Sequence, residues 1–215
     1  MRPKTSVRLA LPILAMGLVV LASNELVQHP LQGYFFGIDL SAILTWGAFT
    51  YPVAFLVTDT TNRLFGVGPA RRVVAMGFIF GVALTVMAAL GIASGASQVG
   101  SMTLWQALFK DPDAFAMFRT AVASGTAFLV AQMLDIKIFD MLRSKAWWKA
   151  PLASSLIGSF VDTLIFFSLA FAGTGLPWGS WAAGDFCAKL LMIALLLYPF
   201  RIMVRFYPHS QRNSV

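Results

Sequence analysis

Residues 152–172 read LASSLIGSFVDTLIFFSLAFA, a stretch in which Asp162 is the sole ionisable side chain. A helix needs about 20 mostly apolar residues to cross the ~30 Å hydrocarbon core of a bilayer. This stretch has that length and that character. Five more runs of the same kind appear on either side of it: Val7–Val27, Leu40–Val57, Val73–Ala93, Ala114–Leu134 and Trp181–Phe200. Short segments join them and leave no room for a separate soluble domain. The expected fold is all-α, a single polytopic domain of six transmembrane helices.

Composition points to the same solvent. Of 215 residues, 58% are apolar and 12% charged, against roughly 45–50% and ~25% in an average soluble domain. Mean hydropathy is +0.76. A soluble fold of this size still exposes about a quarter to a third of its surface and could not hide so much apolar area. The 19 Phe and 6 Trp exclude disorder. A net charge of +7 would suggest nucleic acid in a soluble chain. Here the basic residues interleave with apolar runs, as orientation in a bilayer requires, and no nucleic-acid partner is expected. The single Cys187 excludes an internal disulfide and reads as a small buried apolar residue.

Most of the Lys and Arg residues fall in four places: the N-terminus (Arg2, Lys4, Arg8), the second loop (Arg63, Arg71, Arg72), the fourth (Lys137, Arg143, Lys145, Lys149) and the C-terminal tail (Arg201, Arg205, Arg212). The other side holds Lys110, with Arg119 and Lys189 in the early turns of the fourth and sixth runs. Basic loops stay in the cytoplasm, so both termini are expected there. Trp147, Trp148, Trp178 and Trp181 sit where an aromatic belt would place them. The first run, with its basic start and Val20-x-Ala22, has a rival reading as a cleavable signal peptide. Its length and the following Asn24 and Glu25 favour a retained span. Leu31–Asp39 is too short to span and reads as a lid or interfacial loop on the outer side, or as a plain connector.

A charge at the membrane centre costs at least ~2.5–3.5 kcal/mol, so an ionisable residue there is a functional candidate. Asp162 lies about 15 Å into its run at 1.5 Å per residue, near the midplane. Ser155, Gly158, Ser159, Asp162 and Phe166 share one helix face by their i, i+3, i+4 spacing. That face either walls a cavity or is a helix contact in which Asp162 meets a basic partner. Gly125, Phe128, Gln132 and Asp135 form a second stripe, read as functional or as a packing face with a solvated polar end. Arg119, on roughly the opposite face, is an ion-pair partner or a ligand group. In the second run Pro52 kinks the helix. Asp59, Asn62 and Arg63 then share a face that is either part of a site or a solvated helix end. Asp185 and Lys189 make an i, i+4 pair expected to be structural.

Nothing supports water-soluble chemistry. There is no Gly-Lys-Ser/Thr phosphate loop and no His-Glu-x-x-His. Asp59 and Asp162 could pair as in an aspartyl protease, but their flanks do not resemble intramembrane protease motifs. No enzymatic activity, cofactor or metal is expected.

Thr45–Arg72, TWGAFTYPVAFLVTDTTNRLFGVGPARR, carries Pro-x6-Asp-x2-Asn followed by Phe-Gly and Ala-Arg. With Arg119–Phe139 (RTAVASGTAFLVAQMLDIKIF), Ser154–Gly173 (SSLIGSFVDTLIFFSLAFAG) and Ala22–Glu25 (ASNE), it resembles the signature blocks of the vitamin uptake transporter family. The match touches four of the six runs. Arg63 stands where many members have an acid, and Val67-Gly68-Pro69 replaces a basic turn. The resemblance implies import of 7-cyano- or 7-aminomethyl-7-deazaguanine across a bacterial inner membrane, for queuosine synthesis in tRNA. A guanine-like ring presents N–H donors at N1 and N2 beside an O6 acceptor. A carboxylate can take the two donors, and an amide or guanidinium can serve O6. On this reading Asp162 takes the donors and Gln132 complements it. Asp59, Asn62, Arg119, Asp135, Ser159 and Phe166 are further substrate-binding candidates, and Phe36, Trp46 and Phe128 offer additional stacking faces. Two mechanisms stay open: a lone carrier with proton movement through a buried acid, or a substrate-capture subunit that needs a separate energy-coupling ATPase module and serves another vitamin-like molecule. A homo-oligomer stays open too. An intramembrane enzyme or a structural subunit is the alternative from a different class.

Overall fold

The computed structural model describes residues 5–27, 29–95 and 112–206. Arg2, Lys4, Lys110 and Arg212 lie outside the described residues. Among the described residues seven α-helices follow in order: α1 (Thr5–Leu26), α2 (Gly47–Thr50), α3 (Pro52–Phe65), α4 (Val67–Gly95), α5 (Pro112–Leu142), α6 (Lys149–Phe171) and α7 (Trp178–Phe206). Five of them, α1, α4, α5, α6 and α7, are long and apolar enough to cross a membrane. α5 continues beyond the expected Leu134 because Ile136 and Phe139 carry its buried face onward, both at 0% exposure.

The second run departs most from its expected Leu40–Val57. Leu40–Ala42 is a 3-10 turn capped by Asp39, which accepts from the Ser41 N–H at 3.0 Å. The helical rod starts only at Gly47. Tyr51 keeps helical dihedrals, so α2 and α3 form one rod, interrupted where Pro52 lacks an N–H. The rod runs to Phe65, past Val57. Hydropathy passes over its second half because Thr58, Asp59, Asn62 and Arg63 are polar. Protein, not lipid, surrounds them: no residue of α3 is exposed. Gly66 closes α3 at φ 93°, a left-handed backbone that favours glycine, and α4 starts at the next residue.

α3 is the axle of the bundle, touching α1, α4, α5, α6 and α7. Around it, α5 packs most extensively on α6 and α1 on α4. The α1–α4 seam is close because it is built of small residues, as in other membrane helix pairs. A Cβ on Gly77 would stand 2.5 Å from Met16, and one on Gly81 2.6 Å from Val20.

Leu31–Asp39 folds as a hairpin, pairing Tyr34 with Asp39 and Phe35 with Ile38. Its turn puts Phe36 at φ 48° and Gly37 at φ 80°, the two positive angles of a tight hairpin turn. Tyr34, Phe35 and Phe36 point outward and are exposed. Cys187 is exposed rather than buried. In a membrane helix the outward face is itself apolar, so a small apolar residue has no need of the core.

Candidate functional site

A central helix with polar residues must satisfy them from its neighbours, since an unpaired polar group in a dry interior costs about 1–3 kcal/mol or more. α3 does so level by level. At the α2 end, Ser23 of α1 donates to the Thr50 hydroxyl at 3.1 Å. One residue on, Tyr51 faces Asp162 of α6, and its ring lies 5.3 Å from Lys189 Nζ of α7. Lys189 is clasped between two carboxylates, 2.8 Å from Asp162 Oδ2 and 2.6 Å from Asp185 Oδ2. It also donates to Thr163 Oγ1 at 3.0 Å, while the Thr163 hydroxyl donates to Asp185 at 2.8 Å.

Two turns further along α3, Thr58 donates to Gln132 Oε1 of α5 at 2.6 Å. Phe55 lies beside this level, pressed against Gly158, where a Cβ would be 2.8 Å from the ring. Glycine there makes room for the ring. Next come Asp59 and the α6 hydroxyls: Ser154 and Ser155 each donate to one of its oxygens at 3.1 Å. The Asp135 carboxyl of α5 lies against it. At the last level, Asn62 donates to the Ile136 carbonyl at 3.0 Å and accepts from Arg143, and Arg63 donates to the Arg143 carbonyl at 2.6 Å. The result is a polar column through an apolar bundle. A narrow crevice of about 10 Å³, room for one water, lies between α3, α6 and α7 and reaches it at Asp59 and Ser155.

The column is incompletely satisfied. Among the described residues, Gln132 Nε2, Ser159 Oγ, Asp162 Oδ1 and both Asp135 oxygens are buried without a hydrogen-bond partner. Such atoms are few in native proteins, and each asks for a ligand, an ion or a water. They fall between the levels of Ser155 and Asp162, about 10 Å of α6 at 1.5 Å per residue.

Most of the residues singled out in the sequence meet in this column: Asp59, Asn62, Gln132, Asp135, Ser159 and Asp162. The solvated-end readings of Asp59, Asn62, Gln132 and Asp135 are corrected, since all four are at most 2% exposed. Asp162 has the basic partner that the packing alternative foresaw, on one oxygen only. Two candidates lie elsewhere. Among the described residues Arg119 has no ion-pair partner, and it lies outside the column; it donates to the Leu169 and Ala172 carbonyls at 2.6 and 2.7 Å, closing the end of α6, where carbonyls lack helical partners. Phe166 belongs to an aromatic cluster with Phe167 and Phe171 at ring separations of 5.0 and 6.0 Å. Phe128 stacks on Phe78 at 5.3 Å, while Phe36 and Trp46 are exposed. Sequence reading passed over Tyr51, Thr58 and Thr163, and took Lys189 only as the partner of Asp185.

Long apolar helices enclosing a buried polar column define a multi-pass membrane protein. Residues 45–204 match the family described as "Putative vitamin uptake transporter", and the chain belongs to that family. It is 38% identical over 190 residues to the "Queuosine precursor transporter" of Escherichia coli (strain K12), covering 85% of this chain and 79% of that protein. It is 34% identical over 196 residues to a "Probable queuosine precursor transporter" of Haemophilus influenzae, with 84% and 79% covered. A Bacillus subtilis protein of the same description is 30% identical over 179 residues, with 79% and 76% covered. No solved structure matches the chain.

Proposed function

We propose that this protein imports queuosine precursors of the 7-deazaguanine class, the 7-cyano or the 7-aminomethyl compound, across a bacterial inner membrane. The observation that carries the reading is the set of unpartnered polar atoms in the column. Asp162 Oδ1 and the Asp135 carboxyl suit ring N–H donors, and the Gln132 amide suits the O6 acceptor. The names of the relatives supply the solute class. The ring enters between the Asp162 and Asp59 levels, which requires Phe55 to swing out of the space it fills against Gly158. Arg119 and Phe166 hold the end of α6 rather than the solute.

The α2–α3 rod is the sixth crossing: the nineteen residues from Gly47 to Phe65 reach about 28 Å at 1.5 Å per residue. With six crossings and the basic loops inside, both termini are cytoplasmic. A reporter active only in the periplasm, fused to Val215, should give no signal; a strong signal refutes the orientation.

The functional test is complementation. In a cell lacking both precursor synthesis and its own transporter, this chain should restore queuosine in tRNA when either deazaguanine is fed. Unmodified tRNA, with the protein present in the membrane, would rule out the solute.

A further inference from the structure

We propose that the hairpin of residues 30–46 is a lipid anchor, whose aromatic tip docks in the headgroup layer of the bilayer whatever the solute. Tyr34, Phe35 and Phe36 are 79%, 61% and 91% exposed, so most of their surface meets no protein. They are contiguous, and residues 30–46 contain no Lys or Arg. The one charged group there is Asp39, and its carboxylate is turned back on its own turn. Its Oδ1 accepts from the Ser41 N–H at 3.0 Å and from the Ser41 hydroxyl at 2.7 Å. The backbone closes on itself too. Leu31 donates to the Leu44 carbonyl at 3.0 Å, Leu40 to that of Gly33 at 2.9 Å and Trp46 to that of His29 at 3.0 Å. A loop whose polar groups are met internally can leave water.

The base of the hairpin fixes its depth. The Ile43 carbonyl lies against Gly184 of α7, where a Cβ would be 2.8 Å away. α7 has 29 residues, about 43 Å at 1.5 Å per residue. That crosses the hydrocarbon and both headgroup layers, ~40–45 Å in all. Gly184 lies about 9 Å inside the start of α7 at Trp178, while each headgroup layer is about 5–7 Å deep. The base therefore sits at the edge of the hydrocarbon. Five residues separate Leu31 from Phe36, a reach of at most about 16 Å. An upright hairpin would lift three aromatic rings into water without a charged rim, a patch that water-facing surfaces avoid. A tilted one lays them among the headgroups, where aromatic rings are favoured. Docked there, the tip gives the central rod a hold on lipid that the rod lacks, since no residue from Gly47 to Phe65 is exposed.

Spin labels in phosphatidylcholine liposomes test the docking. Cys187→Ala removes the native thiol, and Phe36→Cys carries a nitroxide at the tip; Tyr34→Cys serves where that chain fails to fold. Lys145→Cys, in the exposed turn before α6, is the water reference. Leu191→Cys, on the outward face of α7, is the lipid reference. Oxygen concentrates in lipid and a nickel chelate in water. The ratio of oxygen to nickel collisions at the tip should exceed that at position 145 several-fold and lie below that at 191. A ratio equal to that at 145 overturns the anchor. Shielding from both reagents would mean that protein covers the tip, a lid rather than an anchor, and overturns it as well. With no cation in the hairpin, added phosphatidylglycerol should leave the ratio unchanged. Insertion seen only with phosphatidylglycerol overturns the aromatic basis of the docking.

Discussion

Lys189→Met should strip most of the protein from the membrane. The ammonium stands 2.8 Å from one buried carboxylate and 2.6 Å from another, with a side chain 5% exposed. Methionine matches its length but leaves Asp162 and Asp185 facing each other without a counter-charge. Removing one partner of a buried pair costs about 3–5 kcal/mol, a large share of the ~5–15 kcal/mol that holds a typical domain together. Membrane abundance and unfolding temperature in detergent check this. Adding Asp162→Asn to the same chain should recover part of the loss, since the remaining Asp185 keeps Thr163 and is the more exposed acid, at 17%. Normal abundance of Lys189→Met alone would mean that the clasp is dispensable.

Asp162→Asn by itself should do the opposite, leaving the fold intact and removing solute binding. Lys189 retains Asp185, so no orphaned cation results. Tyr51 faces the same carboxyl, and an asparagine oxygen can still accept from its hydroxyl. If Asp162 Oδ1 takes a ring N–H of the deazaguanine, an amide in its place turns an acceptor into a possible donor facing a donor. Loss of a hydrogen bond to a charged group costs roughly 1.5–3 kcal/mol, about 10- to 150-fold in affinity. Abundance and binding of labelled 7-cyano-7-deazaguanine should be measured together. Normal abundance with normal binding removes Asp162 from the site.

Much of this column was visible one helix at a time. Asp162 announced itself by depth, and Gln132 and Asp135 by their shared stripe, because a 3.6-residue period and an apolar background make intrahelical faces readable. What one helix cannot report is its rotation and register against the next. Asp59 and Asp135 were each candidates, yet nothing in either run says that they touch. Lys189 has Asp185 one turn away, a local contact, while its bond to Asp162 spans two helices. α7 is apolar nearly all round, so no stripe marked the face turned to α6. The second span was misplaced for a related reason. Hydropathy finds segments that like lipid, and α3 meets protein on every side, so its polar half fell outside the search. Arg119 was legible as a charge in an early turn of an apolar run but not as a cap, because the carbonyls it serves belong to another helix.

That same enclosure has a consequence for how the chain is made. α3 leaves the ribosome carrying Asp59, Asn62, Arg63 and three threonines in fourteen residues, and Asp or Arg alone adds about +2.5 to +3.5 kcal/mol to insertion at a helix centre. The hydroxyl of Ser154 that will receive Asp59 is synthesised 95 residues later. For that interval the helix has a nascent acid and no completed shelter. α4, joined to it at Gly66, is long and apolar enough to cross a membrane, whereas α3 depends on α5 and α6 for its polar partners. A chain truncated before α6 leaves Asp59 without Ser154 and Ser155 and should accumulate poorly in the membrane, as membrane abundance would report.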